Sequence, residues 1–307
     1  MTAGLRRFLR ARAARATTIV AACAVAFAGA HVRTAPLGAT ERSFVWKVSS
    51  PRGTIYLAGS VHLLTADYYP LSSAFLSAFA ASDLLVEELD MTDMLSTESQ
   101  MRMLSTGMLP AGQSLERVVS AETFRSVTGK LADLRMPPGP FLQFKPWLLA
   151  LTLQALEWQK AGFDADLGVD KHLFDMAARA NKPVRGLETL AFQISRFDGM
   201  SPEMQERMLA ETLRELESTK SSFKKIADAW KTGDVQSIEQ IVLEDLKSEP
   251  MMYERMLVER NRMWLPQIEA LFSRPRPALV VVGAAHLVGR DGLLQLLKAK
   301  GYTVEQR

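Results

Sequence analysis

Two segments far apart in the chain share one pattern: Ile55-Tyr56-Leu57-Ala58-Gly59-Ser60-Val61-His62 and Val280-Val281-Val282-Gly283-Ala284-Ala285-His286. Each is an apolar run followed by Gly-x-x-His, and together they hold two of the four histidines in 307 residues. A neutral imidazole can ligate a metal or carry a proton, and small residues beside it let a substrate or ion approach the backbone. Carboxylates stand in comparable places: Glu87 and Glu88 follow the apolar run from Leu84, and Glu188 follows Gly186-Leu187. Two imidazoles with one or two carboxylates make a donor set for a divalent ion that keeps a position open to water. In a strand Glu87 and Glu88 point to opposite sides, so only one of them can face such a site. A single Gly-x-x-His after a strand usually marks no more than a hydrogen-bonded loop; the repetition in matching contexts sets this pair apart.

Other polar groups read as structural. His172, beside Lys171 on a helical stretch, reads as a solvated surface residue. Asp164-x-Asp166-x-Gly168-x-Asp170 resembles a calcium loop but lacks the distal Glu of an EF-hand, and Asp170 reads as a helix cap. Glu259-Arg260-Asn261-Arg262 reads as a charged helix face, and the five Trp and fifteen Met as core.

The elements that must position these residues follow from local patterns. Two β-rich runs, Ser43 to Val48 and Thr54 to Ala58, flank the turn composition Ser50-Pro51-Arg52-Gly53 and predict a hairpin. A helix from Tyr69-Pro70 through Phe79 and a buried strand from Leu84 to Leu89 continue in β-α-β order. From about Met91 to Lys247 the spacing is helical, interrupted by a strand at Pro183 to Leu187 that follows a helix from about Lys171 to Ala180. A helix from Pro250 to Phe272 carries Tyr253, Met256, Leu257, Arg260 and Trp264 along one side. Strand, helix and strand close the chain at Ala278 to Val282, Gly292 to Lys300 and Tyr302 to Glu305, with Gly301 capping the helix. The expected fold is therefore α/β: a mixed sheet built from both chain ends, flanked by helices, with a large helical insertion at about 91–247 inside a domain spanning 43–307. In such sheets sites collect beyond the carboxyl ends of strands, where His62, Glu88, Glu188 and His286 all fall.

Residues 1–30 read as an export signal, with Arg6, Arg7, Arg10, Arg12 and Arg15 before an apolar run from Thr17 that ends in Ala28-Gly29-Ala30. The run is shorter than the roughly twenty residues of a spanning helix. Cleavage near Ala30 and a periplasmic location are expected; the alternatives are an uncleaved anchor, or a lipoprotein at Val20-Ala21-Ala22-Cys23. Membrane contact is expected only through this segment. It contains five of the 37 basic residues and none of the 34 acidic ones, so 32 basic side chains remain against 34 acidic ones and nothing points to a nucleic-acid partner. Cys23 is the sole cysteine, which leaves no thiol chemistry for the mature chain.

With these residues in place the sequence resembles the TraB/GumN family, which is related to the Tiki proteases and more distantly to erythromycin-esterase-like and ChaN-like proteins. The matching points run from Trp46-Lys47-Val48 through Gly59 to His62, Glu88-Leu89-Asp90, Lys145-Pro146-Trp147 and Gly168-Val169-Asp170 to Gly186-Leu187-Glu188-Thr189. They continue with Glu259-Arg260-Asn261-Arg262, Gly283 to His286 and Gly301-Tyr302-Thr303-Val304; Glu87 departs from the pattern, where an apolar residue is usual. The resemblance implies a metal-dependent hydrolase of peptide bonds in which His62, Glu88 and His286 hold a divalent ion such as Mn, Co or Zn. Glu188 would then serve as a further ligand or as base, and Asn261 or Arg262 would face the substrate, Arg262 steadying the oxyanion. The alternative implied by the GumN and TraB settings is a non-catalytic periplasmic protein that binds a peptide signal, a metal complex or a glycan intermediate in the same pocket.

Overall fold

The computed structural model describes residues 42–307 apart from 219, 244, 245 and 248, and leaves out the side chains of 217–222; the expected export signal at 1–30 lies outside the described residues. Residues 42–307 cluster as one unit. Among the described residues no helix is long and apolar enough to cross a membrane.

Among the described residues six strands form one sheet: β1 (Val45–Ser50), β2 (Gly53–Ser60), β3 (Leu84–Glu87), β4 (Val184–Gly186), β5 (Ala278–Gly283) and β6 (Thr303–Gln306), in the order β4-β3-β5-β2-β1-β6. The sheet is mixed and draws strands from both chain ends, as expected. β5 sits inside it because Ala-Leu-Val-Val-Val is apolar on both faces, the composition of a strand covered by helices above and below. It pairs in parallel with β2 and with β3, and β3 pairs in parallel with β4. β1 pairs antiparallel with β2 through the expected hairpin, and β6 adds antiparallel to β1. Four parallel strands thus end at one edge, in the register Ser60↔Gly283 and Glu87↔Val281, with Gly186 opposite Glu87.

The helices that pack on the sheet or build the insertion include α1 (Ser73–Ala81), α2 (Pro146–Lys160), α3 (Val169–Arg179), α4 (Pro202–Ser218), α5 (Glu259–Leu271) and α6 (Leu293–Ala299), of which α3 and α5 reach the site. The main core joins the sheet to α3, α5 and α6 through Val45, Leu57, Leu85, Leu173, Trp264, Ile268, Val280 and Leu297. The insertion carries a separate core, in which Leu149 and Leu153 of α2 meet Leu209 and Leu213 of α4 together with Leu115 and Val127.

Two departures from the expected boundaries matter for the site. β3 stops at Glu87, so Glu88 has already left the strand and is released from strict alternation. The helix expected over Pro250 to Phe272 is interrupted at Glu254–Val258 by a π turn, which hands over directly to α5. Such a turn inserts a residue and resets the helical phase just before the residues that reach the strand ends.

Candidate functional site

The carboxyl edge of the four parallel strands carries His62, His286, Glu88 and Glu188, and Gly283 lies among them. A methyl group built on Gly283 would fall 3.2 Å from Glu88 Oε1, 3.6 Å from His62 Nε2 and 3.7 Å from His286 Cδ2. The two histidines therefore meet over one glycine, whose missing side chain leaves the space between them. The Gly283 N–H donates to Glu88 Oε1 at 2.7 Å, which fixes that carboxylate against the end of β5.

His286 is buried, and both of its ring nitrogens are taken. Asn261 donates through Nδ2 to the carbonyls of His286 and Asp291, so its Oδ1 is left to accept from His286 Nδ1–H at 2.7 Å. Nε2 must then be the unprotonated nitrogen, and it accepts from Arg260 Nη1 at 3.0 Å. Burial, with Arg260 and His62 nearby, pushes the His286 pKa down to about 3 against the pull of Glu88, so the ring is neutral.

Arg260 is the hub. Its Nη2 donates to Glu88 Oε2 at 2.5 Å and to Glu188 Oε1 at 2.7 Å, its Nε reaches Glu188 at 3.2 Å, and its Nη1 also reaches the Met256 carbonyl at 3.2 Å. The guanidinium lies 4.6 Å from the Trp264 ring centroid, and that indole donates to Glu188 Oε2 at 3.1 Å. Burial alone would raise the Glu88 pKa, but Arg260, followed by the two imidazoles and the Gly283 N–H, outweighs it and holds the group at about 2. Glu188 is sealed, its side chain 1% exposed; burial raises its pKa in spite of Arg260.

His62 is different in kind. Its ring is 57% exposed at the rim, and Nδ1–H donates to Asp170 Oδ1 at 3.0 Å, leaving Nε2 toward Glu88 and Gly283. The Asp170 carboxylate is the main reason its pKa rises to about 9, with desolvation opposing and Glu88 assisting. Solvent around so exposed a ring screens part of this attraction. Asp170 is held in place because Val169 N–H bonds to the Val61 carbonyl, and Gly168 packs its backbone against the His62 carbonyl where no side chain fits.

The TraB/PrgY/gumN family model matches residues 44–306. The chain belongs to that family. It is also 28% identical over 243 residues, 79% of this chain and 87% of the relative, to the uncharacterized protein YbaP of Escherichia coli K12 and, at the same figures, to that of Shigella flexneri. No solved structure matches.

Within this TraB/PrgY/gumN chain, five of the six residues expected from sequence lie together and one does not. His62, Glu88, Glu188, Asn261 and His286 share the strand-end cluster. Arg262 lies outside it: its side chain is 64% exposed and pairs with Glu254 at 2.8 Å. Helix phase explains this, since residues two apart on a helix face directions roughly 200° apart, and Arg260 takes the inward direction. Asp170 is not a helix cap; Gly168 holds that position, and the Asp170 carboxylate is spent on His62. His172 is half-buried and rests on Tyr69, with ring centroids 4.8 Å apart, so it is not a free surface residue.

Arg260, Trp264 and Asp170 are the site residues that sequence reasoning missed. A signal for Arg260 was present: it sits on the apolar side of its helix with Leu257 and Trp264, where a cation needs a buried partner.

The ion implied by the TraB/GumN resemblance meets an obstacle in this arrangement. His62 Nε2 and Glu88 Oε1 face the space over Gly283, but the third donor, His286 Nε2, already accepts from Arg260, whose charge lies beside both carboxylates. Among the described residues no group of three or more His, Cys, Asp or Glu side chains is arranged to hold a metal ion. As placed, the three residues do not fit a divalent ion unless Arg260 withdraws.

Proposed function

We propose that this TraB/PrgY/gumN chain is an exported, periplasmic hydrolase of peptide bonds that works through the His62–Asp170 pair. One observation carries the reading: Asp170 binds His62 Nδ1, and the opposite nitrogen faces Glu88 and the bare backbone of Gly283. In its neutral form His62 takes a proton at Nε2 from a water molecule as that water's oxygen bonds to the peptide carbonyl carbon. Asp170 stabilises the imidazolium so formed, and Nε2 returns the proton to the amine nitrogen as the C–N bond breaks. Glu88 Oε1, pinned by Gly283, is placed to accept a hydrogen bond from the same water and aim it. His286, Asn261, Arg260, Glu188 and Trp264 hold Glu88 rigid, which is the pre-organisation such a step needs.

A second reading is favoured by the raised pKa of His62. A rim imidazolium at neutral pH is suited to hold an anionic group, such as the carboxylate of a peptide or small molecule, without turning it over.

Incubation of the full chain with a broad peptide library, with and without chelator, decides between them. The hydrolase reading requires cleavage that is lost in His62→Ala and reduced in Asp170→Asn. Absence of cleavage, combined with calorimetric binding of a peptide that His62→Ala abolishes, establishes the binding reading instead.

A further inference from the structure

We infer that Arg260 stands in this chain where a divalent ion would stand, as the resident cation around which Glu88, Glu188 and His286 close. A guanidinium has five N–H donors in a fixed planar fork, and here all five are engaged. Nη1 uses its two on His286 Nε2 and the Met256 carbonyl, Nη2 its two on Glu88 and Glu188, and Nε its one on Glu188. The Trp264 ring closes one face of the plane. Three of the acceptors are the donors an ion would use: both carboxylates and the unprotonated nitrogen of His286. Asn261 fixes the tautomer that exposes that nitrogen, so the ring is set to receive a cation, and the cation it receives is covalently part of the chain.

The side chain of Arg260 is 6% exposed, so it cannot step aside without leaving two buried carboxylates unpaired. A dication placed beside it would be repelled at close range in a poorly solvated setting. The site is thus built to operate with its arginine in place. This deepens the proposed hydrolase reading, on which the use of the site rests, by assigning its cation; the test reads metal binding, so it stands or falls apart from peptide cleavage.

Full-length protein stripped with chelator is titrated with cobalt(II), followed by calorimetry and visible absorption. Wild type is expected to take up no cobalt that depends on His286. Arg260→Met, which frees the donors, is expected to gain one equivalent, lost again when His286→Ala is added. The inference is overturned if wild type binds one equivalent that His286→Ala abolishes, or if folded Arg260→Met binds none. Should Arg260→Met fail to fold, the nitrogen-15 resonance of His286 Nε2 in wild type decides: no change on adding zinc supports the inference, and a zinc-induced shift overturns it.

Discussion

Arg260 Nη1 lies 3.0 Å from His286 Nε2, and this bond, with Asn261 at the other ring nitrogen, turns the second Gly-x-x-His histidine into a neutral, fully held group. Its counterpart His62 stands at the rim with an aspartate behind it. Two histidines in the same sequence pattern are thereby given opposite electrostatic characters by neighbours from two different helices.

Removing the hub leaves two carboxylates buried without their partner. Arg260→Met should destabilise the fold by about 3–5 kcal/mol at neutral pH, the usual cost of breaking a buried ion pair from one side. Chemical denaturation measures this, and a loss within a few tenths of a kcal/mol would show that the guanidinium is not holding Glu88 and Glu188.

Gly283→Ala tests the space at the centre. The added methyl group would approach Glu88 Oε1 at 3.2 Å and His62 Nε2 at 3.6 Å, on a backbone that is not left-handed, so folding should survive with a modest loss while ligand binding or cleavage disappears. Gly168→Ala acts on stability as well. Its Cβ runs into the His62 carbonyl, so the melting temperature falls as the start of α3, which carries Asp170, is displaced.

Acid should erode stability through two groups. The folded pKa of Glu88 is lowered from 4.5 to about 2 and that of His286 from 6.5 to about 3. In both cases the unfolded chain binds protons first, so their contributions are whole above pH 6.5 and are lost progressively as pH falls toward 2. A denaturation series across this range should show a continuous decline that begins below pH 6.5, and in His286→Asn the portion between pH 6.5 and 3 should flatten.

On the alkaline side the sign reverses. His62 is raised from 6.5 to about 9, so its pairing with Asp170 contributes fully below pH 6.5 and is lost as pH rises through 9. The exposure of the ring keeps this contribution small. Asp170→Asn should abolish the alkaline slope, and in a cleavage assay, where neutral His62 is the base, it should move the ascending limb of the pH profile from near pH 9 toward pH 6.5.

The sheet was legible because its signals are local: an all-apolar run for β5, turn residues between β1 and β2, and a glycine after each histidine strand. The convergence of His62 and His286 followed from strand ends alone. What escaped was set by long-range pairing and loop packing. The spacing of Leu257, Arg260 and Trp264 already put Arg260 on the apolar side of α5, but the tetrapeptide from Glu259 read as a charged face, and the buried partners Glu88 and Glu188 lie too far off in sequence to reveal it. Asp170 looked like a cap because Gly168, two residues earlier, has no side chain to advertise itself as one. Its true partner lies 108 residues away in sequence, across a backbone contact between Val169 and Val61 that no periodicity encodes.

Titration of the imidazole nitrogens by nitrogen-15 NMR tests the central claim most directly. The opposed environments predict that His62 loses its proton near pH 9 and that His286 stays neutral, protonated on Nδ1 alone, down to about pH 3. Two rings titrating together near pH 6.5 would contradict it.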